Sequence, residues 1–465
     1  MRAKVLIRLL LLVLAVTGLQ SCLSYYQRQL DYQDAIYSRN YLKADKILEK
    51  SAKKKGRNYL LYLLDRGFIY QQLGNYAASN ACFLEADILM EDARKNTGSE
   101  ALALISNPMM KPYQAEDFEI ILIHYYLAMN YLQLGNYESA LVECRRMNLR
   151  LQVLNDKYEK KNRYSCDAFA HLLSGLIYES ELDWNNAFIA YRNAYNCYKD
   201  VYVEVLGQVI PHQLKKDLIR AAYKTGFYSE QEFYENQFNL KYSPEMSESG
   251  SVILFLNYGL GPVKAENSFN FTMLHGAGGM VNFVSDDKTL SFPFYLPPSD
   301  KDRGALGNLQ IIRVAFPKYI ERKPVYSTVD VRVQEQRYSS EIIENINEIA
   351  FKTLEDRMLR EMGNSLLRLA VKKGIEHTIR QQDQTLGALA GLAGAITEKA
   401  DTRNWQTLPY GIRYLRIPLS QGSHIVEVEW EGSSRRHYVD SLNISLNPGE
   451  MKFIQLTAPE SYSPE

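Results

Sequence analysis

Asp401, Arg403 and Trp405 place a carboxylate, a guanidinium and an indole at alternate positions. Such a set can clamp a ligand through charge-assisted hydrogen bonds and contact with the ring face. It can equally brace a chain junction, with Asp401 and Arg403 hydrogen-bonded and Trp405 plugging a β-sandwich; that is the simpler reading. Other chemistry-bearing residues assemble less. Gly259-Leu260-Gly261-Pro262 with Lys264 lacks the glycine spacing and the Lys-Ser/Thr pair of a phosphate loop. His275-Gly276-Ala277-Gly278-Gly279 could offer N–H groups to an oxyanion, but no Gly-x-Ser-x-Gly nucleophile accompanies it, so a β-loop is expected. The 7 histidines show no metal-ligand spacing, and His124 and His171 sit among apolar helix residues where local hydrogen bonds are expected. No catalytic residue, metal or cofactor is expected, and the chain reads as a non-enzyme.

Cysteine is scarce, at 5 residues in 465. A turn near Leu182 lies roughly midway between Cys166 and Cys197, so an antiparallel helical hairpin would bring the two together. A disulfide in an oxidising compartment and a pair of buried thiols both fit that placement. Cys82 and Cys144 read as packing residues.

The segments that must position these residues begin with a leader, residues 1–21. It carries Arg2, Lys4 and Arg8, no acid, and a short apolar run from Leu9 to Val16. That is the pattern of a secretory signal and is too short for a comfortable membrane span. Leu19-Gln20-Ser21-Cys22 resembles the bacterial lipobox, which implies cleavage before Cys22 and lipidation of that residue. Residue 23 is Leu rather than the Asp that resembles an inner-membrane retention mark, and Ser24-Tyr25-Tyr26-Gln27 lacks the acidic run of some surface-export signals. The expected location is therefore the outer membrane, lipid-anchored on its periplasmic face. Lys+Arg and Asp+Glu are balanced at 54 each, which argues against a nucleic-acid binder working through bulk positive charge. A hydrophobic fraction of 46% with 23% charge is globular, excluding wholesale disorder and a multi-span membrane protein.

Residues 22–240 read as helical repeats. Gly67-Phe68-Ile69-Tyr70 and Leu73-Gly74-Asn75-Tyr76 match Ala128-Met129-Asn130-Tyr131 and Leu134-Gly135-Asn136-Tyr137. A third copy runs Gly175-Leu176-Ile177-Tyr178 to Asp183-Trp184, and a fainter one holds Asn40-Tyr41 and Ala44. This resembles the tetratricopeptide repeat (TPR), an α-solenoid of stacked helix pairs in which no single repeat can bury its own face. Small residues at Gly67, Ala128 and Gly175 would let paired helices approach closely. Pro211 opens a further helix that Gly226 stops. By repeat register, Phe68, Gln71, Gln72, Tyr125, Met129, Gln133 and Glu179 face the concave groove, a lining suited to an extended peptide or a partner helix.

The period changes at Gly250. Strand signals recur over 250–340, a helical insertion is expected over 341–403, and strands resume over 404–460 to complete a sandwich. The expected fold is thus multidomain: a TPR-like α-solenoid, then an antiparallel β-sandwich-like region carrying a helical insertion. Within the insertion, Leu386–Ile396 is apolar and Gly/Ala-rich but too short to span a bilayer, and a buried helix on the sheet is its simplest role. Pro418 to Val428 briefly resembles envelope modules of the PEGA type.

Asn257-Tyr258-Gly259-Leu260-Gly261-Pro262, Val314-Ala315-Phe316-Pro317-Lys318-Tyr319 and Ala400-Asp401-Thr402-Arg403-Asn404-Trp405 occur in order. With the repeats and the lipobox, they resemble a family of bacterial TPR-containing lipoproteins of no established activity. Relatives look as if they accompany lipoprotein activators of penicillin-binding proteins, which implies a cell-envelope role. The expected function is a lipid-anchored protein–protein interaction scaffold, its partner an envelope protein or peptide in cell-wall synthesis or outer-membrane assembly. Two alternatives are a glycan- or peptidoglycan-binding or hydrolytic protein using Asp401, and an oligomeric membrane-associated assembly factor using Leu386–Ile396.

Overall fold

A computed structural model describes residues 27, 30–51, 56–95, 111–157, 164–243, 250–275, 280–295, 310–382, 400–433 and 436–463. The leader, Cys22 and Leu386–Ile396 lie outside the described residues. Helix α1 (30–37) turns into α2 (Tyr41–Ser51), with Ile36 and Ala44 in one core, and α3 (Tyr59–Gln72) pairs with α4 (Tyr76–Lys95), α5 (Asp117–Gln133) with α6 (Tyr137–Lys157), and α7 (Ala168–Ser180) with α8 (Trp184–Cys197). A π-turn (Tyr198–Tyr202) and the short α9 (Val203–Leu206) lead to a last hairpin, α10 (His212–Thr225) and α11 (Tyr228–Phe238).

The first four hairpin turns share one construction. A left-handed residue ends the first helix: Arg39 (φ 54°), Gly74 (73°), Gly135 (71°) or Leu182 (59°). The next residue, Asn40, Asn75, Asn136 or Asp183, donates its N–H to the carbonyl five residues back. Its side chain then accepts the N–H of Lys43, Ala78, Ser139 or Asn186 at 3.0–3.2 Å. One residue thus closes one helix and caps the next. Within the hairpins, Gly67 and Gly175 sit where a Cβ would lie 2.7 Å from the Phe83 ring and 2.5 Å from the Tyr191 ring, so the close approach requires glycine.

Three sheets follow, built from β1 (Gly250–Tyr258), β2 (Val263–His275), β3 (Met280–Ser285), β4 (Ser291–Tyr295), β5 (Gln310–Ile320), β6 (Tyr326–Val333), β7 (Gln336–Ser339), β8 (Glu341–Glu344), β9 (Gly411–Leu419), β10 (Gly422–Gly432), β11 (His437–Leu446) and β12 (Met451–Ala458). The first has the order β12-β1-β9-β8, with β1 and β12 parallel and the rest antiparallel. The second, β11-β10-β6-β7, faces it and encloses Leu254, Leu256, Val331, Ile417, Val428 and Trp430: a sandwich. The third, β4-β3-β2-β5, is covered by α12 (Ile346–Gln382), whose Met362 and Leu366 meet Phe271 and Phe283.

The expected boundaries need correction. Residues 250–340 are not one unit, because β1 belongs to the first sheet, β2–β5 to the third and β6–β7 to the second. The insertion is not helical from 341: Glu341–Glu344 pairs with β9, and α12 starts at Ile346. Nor are the halves separate. β1 is buried at every position because its two faces serve two cores. Val252, Leu254 and Leu256 enter the sandwich, whereas Ile253 and Phe255, with Ile412, Tyr414 and Phe453, join the solenoid core.

Candidate functional site

The concave face of the solenoid is filled by the chain's own first sheet. Tyr125, on the almost wholly buried α5, donates to Asn257 Oδ1 (2.9 Å) and accepts from Gln455 Nε2 (2.8 Å). Gln133 donates to the Phe453 carbonyl (3.0 Å). Phe68 is buried against Tyr41 and Tyr126, and Met129 is fully buried. Gln71 is spent between hairpins, donating to Asn130 (2.8 Å), while Gln72 is half-buried beside it. These are internal contacts, so the assignment of this groove to an external partner is corrected.

Glu179 shows how the filling is held. Its carboxylate takes two hydrogen bonds from Arg220 (3.0 and 2.8 Å), two from Arg416 (2.8 and 3.0 Å) and one from Tyr191 (2.6 Å). Asp217 accepts from Arg220 (2.6 Å) and from Tyr414 (3.0 Å). Two carboxylates and two guanidiniums, drawn from α7, α10 and β9, therefore balance inside the protein. Burial pushes the Glu179 carboxyl up, and the guanidiniums more than reverse it, holding it well below the usual range.

Asp401, Arg403 and Trp405 are engaged in internal contacts. Arg403 pairs with Asp401 (2.6 Å) and reaches Asn58 Oδ1 (3.0 Å) and the Lys111 carbonyl (3.1 Å), tying the strand re-entry to the start of α3. Trp405 plugs the solenoid, not the sandwich: its ring lies 5.8 Å from Phe83 and 5.4 Å from Tyr126. Its backbone N–H donates to Glu119 Oε1 (2.6 Å), and its indole donates to Thr407, which donates to Asp65 (3.0 Å). Burial pushes Glu119 and Asp65 each up to about 7, against the hydrogen bonds they accept. Glu116 lies nearby, paired with Lys264 and Arg357.

Cys166 and Cys197 are joined in a disulfide, with Cα atoms 6.1 Å apart. Cys144 is buried and Cys82 half-buried, both with free thiols. His124 lies 2.7 Å from Glu143. No group of metal-ligating residues occurs among the described residues, and no described helix is long and apolar enough to cross a membrane.

Sequence reasoning missed Asp217, Arg220 and Arg416. Their signal was present. Asp217 falls in the apolar phase of α10 with Leu214, Leu218 and Ala221, and Arg416 shares a strand face with Ile412 and Tyr414. A charge at an inward position asks for a buried partner.

The described residues define a helical-hairpin solenoid closed on its concave side by a β-sandwich. Among solved structures, BtubC from P. vanneervenii is similar over 46% of this chain and 78% of its own, at 15% identity and TM-score 0.32. A MamA protein is similar over 47% and 97%, at 14% identity and TM-score 0.29. The Rap conjugation gene regulator of plasmid pLS20, solved with the Phr* peptide, is similar over 46% and 54%, at 17% identity and TM-score 0.27. At such scores the repeat architecture rests on this chain's own hairpins. No protein-family model and no curated protein matches the chain.

Proposed function

We propose that this protein is a non-catalytic interaction scaffold of the bacterial envelope, anchored through lipid on Cys22 to the periplasmic face of the outer membrane, that engages a partner in cell-wall synthesis or outer-membrane assembly. The observation that carries the scaffold reading is the hairpin array with its outer side open. The second helices present Leu42, Ile88, Leu149 and Ile189 to solvent, one from each of the first four hairpins. With the concave face occupied, the partner docks on this convex side. The disulfide supports an oxidising compartment, and the lipobox-like Leu19–Cys22 supports the anchor.

Photo-crosslinking in intact cells tests the docking side. A photoreactive residue at Ile88 or Leu149 is expected to give a discrete adduct with an envelope protein, and the same residue at the buried Met129 none. Absence of adducts from both outer positions would sink the reading. A chain beginning at Leu23, exported behind a secretory signal that is cleaved without lipidation, is expected in the soluble periplasmic fraction, and its retention on the membrane would overturn the anchor.

A further inference from the structure

Sheet edges are rows of main-chain donors and acceptors, and proteins usually blunt them. Most edges here are blunted. β8 gives its Ile342 and Ile343 carbonyls to Gln208 and Tyr198. β12 gives the Phe453 carbonyl to Gln133. β4 carries Pro293, β5 carries Pro317 and is packed by α12, and β7 is only 4 residues long. β11 differs: 10 residues paired, among the described residues, only with β10, without proline, with Asp440 its single acid.

The ladder fixes which groups of β11 are free. Gly432 N donates to the Arg436 carbonyl, continuing the β10–β11 register in which Trp430 faces Tyr438. Even-numbered residues of β11 therefore turn their main chain to β10, and Ile444 and Leu446 point into the sandwich. Odd-numbered residues turn theirs outward. Lys452 Nζ donating to the Ser445 carbonyl (3.1 Å) agrees with this phase. His437, Val439, Ser441 and Asn443 thus present N–H and C=O groups along an open edge, and their side chains are exposed. Arg39 reaches Asp440 and the Tyr438 ring, both even-numbered, and leaves the outward row alone.

We propose that β11 pairs antiparallel with β11 of a second copy of this chain, about a two-fold axis through Ser441. The strand is self-complementary there. Ser441 meets Ser441, Val439 meets Asn443, and on the inner face Tyr438 meets Ile444 and Asp440 meets Leu442. No acid opposes an acid, and the Val439, Ser441 and Asn443 main chains of the two copies make six N–H···O bonds. The second sheets fuse into one eight-stranded sheet, and the isologous contact closes without propagating.

The test uses the full mature chain carrying Cys22→Ser, by sedimentation between about 1 and 100 μM. A concentration-dependent dimer is expected. Ser441→Pro removes an outward N–H without touching the β10 ladder, and Ser441→Lys sets two ammoniums on the axis. Both variants are expected to be monomeric, with the thermal midpoint that the parent shows when diluted to the monomer. Ser441→Cys is expected to form a covalent dimer on oxidation, since Cα atoms of such a pair lie about 5.5 Å apart, whereas Ser445→Cys is not. A monomeric parent at 100 μM overturns the proposal, as does a dimer that survives both Ser441→Pro and Ser441→Lys. A monomer that takes up an unrelated extended peptide on this edge overturns it in favour of a foreign strand.

Discussion

Arg416→Met would test whether solenoid and sandwich form one structure. Arg416 reaches Glu179 with both terminal nitrogens, at 2.8 and 3.0 Å, and stands 3.4 Å from Asp217. Glu179 and Asp217 are buried, and Arg220 is the other guanidinium among them. Methionine keeps much of the volume but leaves two carboxylates against one guanidinium. Breaking a buried pair from one side costs about 3–5 kcal/mol, a large share of a typical stability of about 5–15 kcal/mol. Arg416→Lys keeps a charge but loses the fork, and a smaller loss is expected. Glu179→Gln added to Arg416→Met restores charge balance, so the double variant should fall short of the sum of the singles by about 1–3 kcal/mol. The assay is urea unfolding of the disulfide-intact mature chain, followed by far-UV circular dichroism and tryptophan fluorescence. Trp184 and Trp405 lie in the solenoid and Trp430 in the sandwich, so both probes should give one coincident transition. A loss below about 1 kcal/mol, or additive singles, would refute the buried-cluster reasoning. Separate transitions would refute the shared core.

Further expectations follow from particular residues. Replacing Cys166 and Cys197 by serine opens a link between residues 31 apart and should cost about 2–4 kcal/mol in chemical denaturation; an unchanged midpoint would show that the loop is restrained otherwise. Leu182 occupies a left-handed position and is 72% exposed, so Leu182→Gly should stabilise by roughly 1 kcal/mol. Gly74→Ala, where no atom crowds a Cβ, should cost a similar amount, and the same sign for both would contradict the backbone account. Gly175→Ala drives a methyl into the Tyr191 ring, which Glu179 holds, and should cost about 1–3 kcal/mol. Burial raises Asp65 and Glu119 from ordinary values of 3.8 and 4.5 to about 7, so their protons are held more tightly in the fold than in the unfolded chain. Stability is expected to fall as pH rises from about 4 to about 7 and then level off. Glu179, held low, acts oppositely: its stabilisation is lost as pH falls below its ordinary 4.5. Unfolding free energies at pH 5 and pH 8 check this, and a protein more stable at pH 8 would contradict it.

The repeats were legible because their turns require fixed residue types at fixed spacing. Arg39 and Leu182 then show what the pattern encodes. Both take the left-handed position that Gly74 and Gly135 fill, so the conserved demand between copies is on the backbone and on the capping Asn or Asp that follows. Arg39 also spans from Glu460 to Asp440, which gives its strained backbone a tertiary compensation that Leu182 lacks. Strands β3, β4 and β8 were less legible. They are 6, 5 and 4 residues long, and Ile342-Ile343 runs into the helical phase of Ile346 and Ile349. The filling of the groove could not be read locally at all. Tyr125 meets Asn257 and Gln455, 132 and 330 residues away, and periodicity carries no information about such pairings. Yet the chain held a hint: a groove meant for a transient partner has little use for Glu179 beneath two guanidiniums, whereas an internal interface needs the match. Asp217, Arg220 and Arg416, each at an inward phase of its element, were the residues that could have supplied it. A repeat signature specifies that a concave surface exists. Charges at inward positions elsewhere in the chain indicate whether that surface is already taken, and here Arg416 of β9, seated on Glu179 of α7, shows that it is.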